Sequence, residues 1–376
     1  TKMSQKFSLQ SIEIKGFKSF NSEGQKLVLG DLTVLIGANG AGKSNLISFF
    51  KMITSITNSS LQNFIGVNGG ANAFLHFGAK QTKQMEAQLK FKAFDYEDLY
   101  RFVLSHAVGE SLIFSNEEVQ RFKNGKPNQK NPVIKTGLGE SVLIQKNDFN
   151  DAGTFPSLLS RLQVYQFHDT SKESPLKRGV YLEDNKYLRS DGGNLAAILY
   201  ALKNSDKWNK YYSRIVTYIR YALSEFDDFD LEPDVYNGRN ILLNWRAKDS
   251  DYLFGPHQLS DGSLRFMALM TLLLRPKELL PPIVIIDEPE LGLHPSAISI
   301  LANVINMVKS ETQIIIATQS TNMVDQFDPS EIVVVEKDRK DNCTKLKRLD
   351  LNSLQEWLEE YSLSELWEKN VFGGKP

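Results

Sequence analysis

The sequence is short of several things, and each shortage excludes a class of protein. A single cysteine, Cys343, stands in 376 residues, so no internal disulfide framework and no Cys-based zinc site exists, and a reducing, cytoplasmic setting is the expectation. Neither sign of charge is in excess. With 44 Lys+Arg against 45 Asp+Glu the formal charge is -1, so no global basic surface draws in nucleic acid or an acidic membrane, and any such contact needs a local patch. Long apolar runs are missing too. The longest, Leu264 to Leu274, is interrupted by Arg265 and is too short to span a bilayer, and the polar stretch Thr1 to Gln10 lacks a signal-peptide core. Thr1 and Lys2 ahead of Met3 are set aside from fold reasoning. No internal repeat, low-complexity tract or heptad run marks a solenoid or a long coiled-coil arm.

What remains is a globular composition, 41% hydrophobic and 24% charged, at a length that suits two domains or one enlarged domain. The first 60 residues read as strand, strand, loop, helix: Leu9, Ile12 and Ile14 alternate, Leu32 to Ile36 is a short β-rich run, and Leu46, Ile47, Phe49, Phe50 and Ile53 recur at helical spacing. Residues 61–165 carry short alternating runs such as Gln88 to Phe94 and Ser111 to Phe114, broken by Gly, Asn and Pro, which predicts antiparallel β structure with one helix. From Asp191, a candidate helix cap, the pattern turns helical, with a second helix over Trp208 to Leu223. The acidic run Glu225 to Asp234 reads as an exposed turn, and Asn240 to Arg246 as a strand. Between Gly255 and Val335 helices (Ser263 to Leu274, Pro295 to Lys309) alternate with apolar strands (Ile283 to Ile286, Gln313 to Ala317), which predicts parallel βαβ units. A last strand, Glu331 to Glu336, precedes a tail with Trp357 and Trp367.

Three motifs carry chemistry. Gly37-Ala38-Asn39-Gly40-Ala41-Gly42-Lys43-Ser44 fits G-x-x-x-x-G-K-[ST] between a predicted strand and a predicted helix. Glycines let successive N–H groups converge on one concavity, the helix N-terminus adds positive potential, Lys43 supplies a charge for β- and γ-phosphates, and Ser44 offers a hydroxyl to Mg2+. The strand Ile283 to Ile286 ends in Asp287 and Glu288, at the strand end where ligands bind in open α/β sheets. Asp287 suits the outer shell of Mg2+, and Glu288 suits a general base that polarises the attacking water. Leu259-Ser260-Asp261-Gly262-Ser263 stands just ahead of an apolar helix. Ser260 or Asp261 there is either a plain N-cap or, with Gly262, a second phosphate-binding edge.

Together these pieces resemble an ABC-type ATPase head of the RecF/SMC-like branch, which includes the OLD-related and AAA-type predicted ATPases. Ile12 to Phe20 (IEIKGFKSF) is similar to that branch's opening strand and turn. Leu259 to Ser263 resembles its LSGGQ signature with Asp261 for glycine and Ser263 for glutamine. Glu290-Leu291-Gly292-Leu293-His294-Pro295 is similar to its D-loop region, and Ala317-Thr318-Gln319-Ser320 falls where it places a switch histidine. The resemblance spans residues 12 to 320. It implies a P-loop α/β fold with a mixed, mainly parallel central sheet: a discontinuous ATPase core over 3–60 and 255–350, an inserted antiparallel β lobe over 61–165, a helical signature-side lobe over 166–254, and a helical tail over 351–376. It implies ATP and Mg2+ as ligands, with Asn39, Gly40, Ala41, Gly42, Lys43, Ser44 and Asn45 on the nucleotide, Ser44 and Asp287 on the metal, and Glu288 and Gln319 at the reaction. Gln319 exchanges hydrogen bonds but carries no proton charge. It further implies a homodimer in which Ser260 and Gly262 act on the ATP of the other protomer. Gln166 is the candidate for the Q-loop, with a plain loop as the alternative, and Lys18 matches a basic position that reaches the nucleotide in some relatives.

Other residues carry less. Arg121, Lys123, Lys126, Lys130 and Lys135 lie in a stretch without acids that suits either a phosphate backbone or a solvated loop. His294 reads as structural, and Phe17, Phe20, Trp357 and Trp367 as core or interface aromatics. Three functions stand open: an ATPase that controls a DNA-repair or phage-defence partner, an ATP-sensing scaffold with little turnover that recruits an effector, and an ATP-gated DNA clamp. None involves a membrane.

Overall fold

The structure is a computed structural model that describes residues 7–93, 96–129, 137–142, 156, 159–169, 171–338 and 340–374; Lys130 and Lys135 of the basic stretch lie outside the described residues. The chain opens with β1 (Ser8–Lys15), β2 (Gln25–Val28), β3 (Leu32–Ile36), α1 (Lys43–Thr57) and α2 (Leu61–Val67). Four strands follow, β4 (Gln84–Ala93), β5 (Tyr96–Ala107), β6 (Ser111–Lys123) and β7 (Lys126–Gln129). In β4 the residues Met85, Ala87, Leu89, Phe91 and Ala93 are buried and their neighbours are not, so the period-two pattern lays one face on the core. These strands form an antiparallel sheet in the order β2-β1-β4-β5-β6-β7. The strands expected of the 61–165 insertion thus continue a sheet that β1 and β2 begin, with Ile12 of β1 opposite Leu89 of β4.

The next elements are β8 (Gln163–Tyr165), β9 (Val180–Tyr181), α3 (Leu195–Lys203), α4 (Asn209–Ala222), β10 (Phe226–Asp230), β11 (Asn240–Ile241), β12 (Asn244–Ala247), β13 (Leu253–Phe254) and α5 (Asp261–Leu273). Three expectations change here. Asp191 does not cap α3: the chain turns at Gly192, φ 77°, and Asn194 takes the cap position, its buried amide donating to the Asp184 and Tyr187 carbonyls. The acidic run is a strand, because Phe226 and Phe229 are buried. Asp228 accepts from the Tyr212 hydroxyl at 2.6 Å, and Asp230 pairs with Arg246 at 2.6 Å. The single strand expected over Asn240 to Arg246 is two, since β11 pairs with β9 while β12 pairs with β10 and β13.

The chain closes with β14 (Ile283–Asp287), α6 (Pro295–Val308), β15 (Gln313–Thr318), α7 (Thr321–Val324), β16 (Ile332–Lys337), β17 (Thr344–Arg348), α8 (Leu351–Glu360) and α9 (Leu363–Glu368). The central sheet runs β17-β16-β3-β15-β14-β8, parallel throughout except for β17. The inner strands β3, β14, β15 and β16 each carry a buried, mainly apolar run because both faces of the sheet are covered. Ile283 and Ile285 join a core with α1 and the antiparallel sheet, whereas Val284 and Ile286 join a core with α3, α4, α5, α6 and the tail. Gln313 ties the two sheets: its side chain accepts from the Leu9 N–H at 2.8 Å and donates to the Leu9 and Gly30 carbonyls. No described helix is long and apolar enough to cross a membrane.

Candidate functional site

The glycine-rich loop connects β3 to α1 and is shaped by what stands behind it. A Cβ at Gly37 would lie 2.2 Å from the Val335 carbonyl, and one at Gly42 2.0 Å from Thr344 Oγ1, so the β16–β17 hairpin admits only glycine at both. Gly40, φ 80°, and Gly42, φ 117°, are left-handed, a backbone that favours glycine and turns successive N–H groups inward. Lys43 is 6% exposed, and its ammonium donates to the Gly37 and Ala38 carbonyls, folded across the loop it will serve. Burial lowers its pKa, and Glu288, Asp287 and Glu290 oppose that shift, which places three carboxylates within electrostatic reach of the ammonium. Ser44 is exposed in the first turn of α1. Asn45 donates to Ser19 Oγ at 2.7 Å, and the Ser19 N-terminal turn is held in turn by Thr344. Ala38 N–H donates to the Gly374 carbonyl at 3.0 Å, so the tail also backs the loop.

Opposite the loop, Asp287 and Glu288 emerge at the end of β14. Gln166, immediately after β8, donates its amide to Asp287 Oδ2 at 2.6 Å and accepts from Lys51 on α1. His168 Nε2 donates to the Asp287 carbonyl at 2.9 Å. Glu288 has φ 44°, unusual for a residue with a side chain, and its N–H donates to the Ala317 carbonyl of β15 at 2.8 Å. Gln166, Asp287 and Glu288 therefore stand at the C-terminal ends of the adjacent strands β8 and β14, and Lys43, beyond the end of β3, lies within electrostatic reach of the two acids. Gln319 is exposed after β15, and its N–H donates to Glu290 Oε1 at 3.3 Å. Lys18 also has a left-handed backbone, φ 47°; its ammonium lies 5.0 Å from the Phe74 ring centroid, and burial together with the nearby Lys51 lowers its pKa.

Ser260 and Gly262 stand apart from this cluster. Ser260 caps α5, its hydroxyl accepting from the Ser263 N–H at 3.1 Å. It lines a cleft with Leu223, Trp245 and Gln258, none of which borders the cleft beside Ala38 to Ala41. Gly262 packs on the loop after β14: a Cβ there would lie 2.1 Å from the Gly292 carbonyl. Asp261, where the signature pattern has glycine, forms an ion pair with Lys177 at 3.6 Å.

Three residues of this neighbourhood escaped the sequence. Lys51 is the only charged residue of α1 after Lys43, which marks the position but not its partner. Glu290 is buried, accepting from Thr318 Oγ1 at 2.5 Å with Oε2 unpartnered. Arg265 on α5 donates to the carbonyls of Phe167 (2.8 Å), Leu291 (2.9 Å) and His168 (3.0 Å), joining the signature helix to the Gln166 segment and to the loop after β14. Elsewhere, His294 accepts from the Ser296 N–H as the cap of α6, Phe17 and Phe20 are buried, Trp367 is buried and Trp357 is half exposed. Arg121 is clamped by Asp98 through bonds of 2.7 and 2.8 Å.

The donor set fits a nucleotide with Mg2+. A loop of convergent amides with a lysine across it suits phosphates, and a hydroxyl with one or two carboxylates suits a hard ion that shares its remaining ligands with phosphate and water.

Residues 32–325 match the family model described as "AAA domain, putative AbiEii toxin, Type IV TA system". No curated protein matches the chain in sequence. Among solved structures it is similar to an Smc head bound to the C-winged helix domain of ScpA, with 15% identity and a TM-score of 0.55 over 93% of this chain and 99% of that one. It is also similar to an Smc head with an extended coiled coil bound to the C-terminal domain of ScpA from Pyrococcus furiosus, with 15% identity and a TM-score of 0.56 over 94% of this chain and 99% of that one. A third is the SMC head domain from Thermotoga maritima, with 15% identity and a TM-score of 0.50 over 91% and 99%. The match covers well over half of the sequence, and the fold is that of a P-loop ATPase head of the SMC type: the chain belongs to this AAA domain family.

Proposed function

We propose that the chain is a Mg2+-dependent ATPase that sandwiches ATP between two copies arranged head to tail, hydrolyses it, and uses the cycle to control a separately encoded partner. The observation that carries this reading is the gathering of Gln166, Asp287 and Glu288 at the C-terminal end of the sheet, within electrostatic reach of Lys43 and its loop of inward-turned amides. Lys43 exchanges its bonds to the Gly37 and Ala38 carbonyls for phosphate oxygens. Ser44 and Asp287 would hold Mg2+, which supplies charge neutralisation across the β- and γ-phosphates. Gln166, tethered to Asp287 and Lys51, reports on that carboxylate to its own segment. Glu288 takes the proton of the attacking water. Ser260, two residues ahead of Gly262, borders a different cleft from the loop, which favours the pair acting on the nucleotide of a second copy.

Phosphate release should fall about 10²–10⁴-fold in Glu288→Gln, and equal rates would remove Glu288 as the base. The same variant should run as a dimer on size exclusion with Mg-ATP and as a monomer without it; a monomer under both conditions would defeat the sandwich.

A second reading, an ATP-sensing scaffold with little turnover, is favoured by Gln319, an exposed amide held only through its backbone among the contacts described. A Glu288-dependent single turnover within minutes speaks against it. For an ATP-gated DNA clamp the patch is smaller than its sequence suggests, because Asp98 neutralises Arg121 while Lys123 lies over the Tyr96 ring at 5.2 Å. Loss of a salt-sensitive DNA complex on neutralising Lys123, Lys126 and Lys130 is the test of that role.

A further inference from the structure

Among the described residues, one buried cation outside the phosphate-loop cleft has no anion beside it. Arg275 follows α5 and is 3% exposed. Its guanidinium is hydrogen-bonded to the Tyr165 hydroxyl, yet Nε and Nη1 are both buried with no hydrogen-bond partner, and no carboxylate is among the groups that act on it. Burial of an unpaired charge is strongly unfavourable, and arginine does not escape by losing its proton. No described residue provides the anion that would compensate it.

Beside Arg275 lies a cavity of about 220 Å³, walled by Tyr165, Leu188, Leu279 and Pro281, with Tyr187 and Arg161 toward solvent. Arg161 is committed to the Leu280 carbonyl at 3.1 Å. We propose that this cavity binds a small carboxylic acid with an apolar body, its carboxylate on Arg275 and its body against Leu188, Leu279 and Tyr187. The volume equals about seven waters, which limits the ligand to one ring or a short chain. The charge argues for a monoanion: the one buried guanidinium balances one negative charge, and apart from Ser160, Gln163 and the exposed Arg161 the lining is apolar and disfavours a second. Guanidinium and carboxylate are matched in shape as well as charge. The position is suggestive in itself, because Tyr165 directly precedes Gln166, and Arg275 ends the helix that Ser260 begins. The binding claim, however, stands apart from the ATPase reading.

Calorimetric titration and thermal melting of the full chain with benzoate, hexanoate, benzyl alcohol and inorganic phosphate test it. Benzoate or hexanoate should bind saturably with a Kd of roughly millimolar or tighter and raise the Tm, while benzyl alcohol should bind at least ~10-fold more weakly. Arg275→Met, which replaces an unpaired buried charge by an apolar chain of similar length, should keep its fold and lose the response. Leu279→Trp, which fills the cavity and leaves Arg275 in place, should lose it too. Lys43→Ala, a change at the phosphate loop, should keep it, so that a failure here is separable from a failure of the ATPase reading. A cavity that holds water alone, shown by no saturable carboxylate binding, would overturn the proposal. So would carboxylate binding that survives both cavity variants, or phosphate binding as strong as that of benzoate.

Discussion

Glu290 shows what a single buried carboxyl does to the pH response of this fold. Burial raises its pKa above the ordinary 4.5, although hydrogen bonds from Thr318 and the Gln319 N–H favour its charged form. Between the ordinary and the raised value the folded chain holds a proton that the unfolded chain has released. Stability therefore falls as pH rises through that window and stays lower above it. Glu290→Gln keeps a carbonyl acceptor for Thr318 and Gln319 and removes the titration. Urea unfolding should find the variant at least as stable as wild type at neutral pH, with the advantage gone below about pH 4; an advantage independent of pH would show that charge is not its cause. Legibility at this scale followed chain separation. The loop from Gly37 to Ser44 is contiguous and could be read outright. Lys51 and Arg265 acquire meaning only from partners that lie 115 and 98 residues away, and no local pattern announces such a pairing.

Among elements, the contact of helix α5 with the loop after β14 is where the signature end of the molecule meets its acids. Gly262 allows it, since any Cβ would meet the Gly292 carbonyl at 2.1 Å. Gly262→Ala should cost about 1–3 kcal/mol by overpacking, measurable as a lowered urea midpoint with an unchanged slope. Arg265 fastens the same contact through three carbonyls. Arg265→Met keeps the aliphatic stem and removes the bonds, so fluorescent ATP should bind nearly as before while turnover drops on the order of 10-fold or more; a parallel loss of binding and turnover would mean that Arg265 shapes the nucleotide site itself. The strands and helices here were legible because both faces of the parallel sheet are buried and each helix has one apolar face. The acidic strand β10 was not, because its burial rests on only Phe226 and Phe229 among three carboxylates. The register that divides β11 from β12 depends on partners, β9 and β10, which the local sequence does not name.

At the scale of the whole molecule, the parallel sheet and its order of βαβ units could be foreseen from alternation, but not the way the antiparallel strands share a sheet with β1, nor the glutamine that binds the two sheets together. The strand that carries the phosphate loop holds a further consequence. β3 lies between β15 and β16, with Val34 opposite both Ile316 and Ile332, so it is synthesised early and framed late. On a ribosome adding about 5–20 residues per second, the roughly 300 residues that separate it from its neighbours take on the order of 15–60 s to appear. Through that interval the run Leu32 to Ile36, five apolar or β-branched residues in the sheet's middle, has no edge to join and every reason to find a wrong one. A chain cut before β15 should therefore bind no fluorescent ATP despite an intact glycine-rich loop, and should be aggregation-prone. Nucleotide binding would thus double as a report that β15 and β16 have been made and have framed the strand that carries the loop.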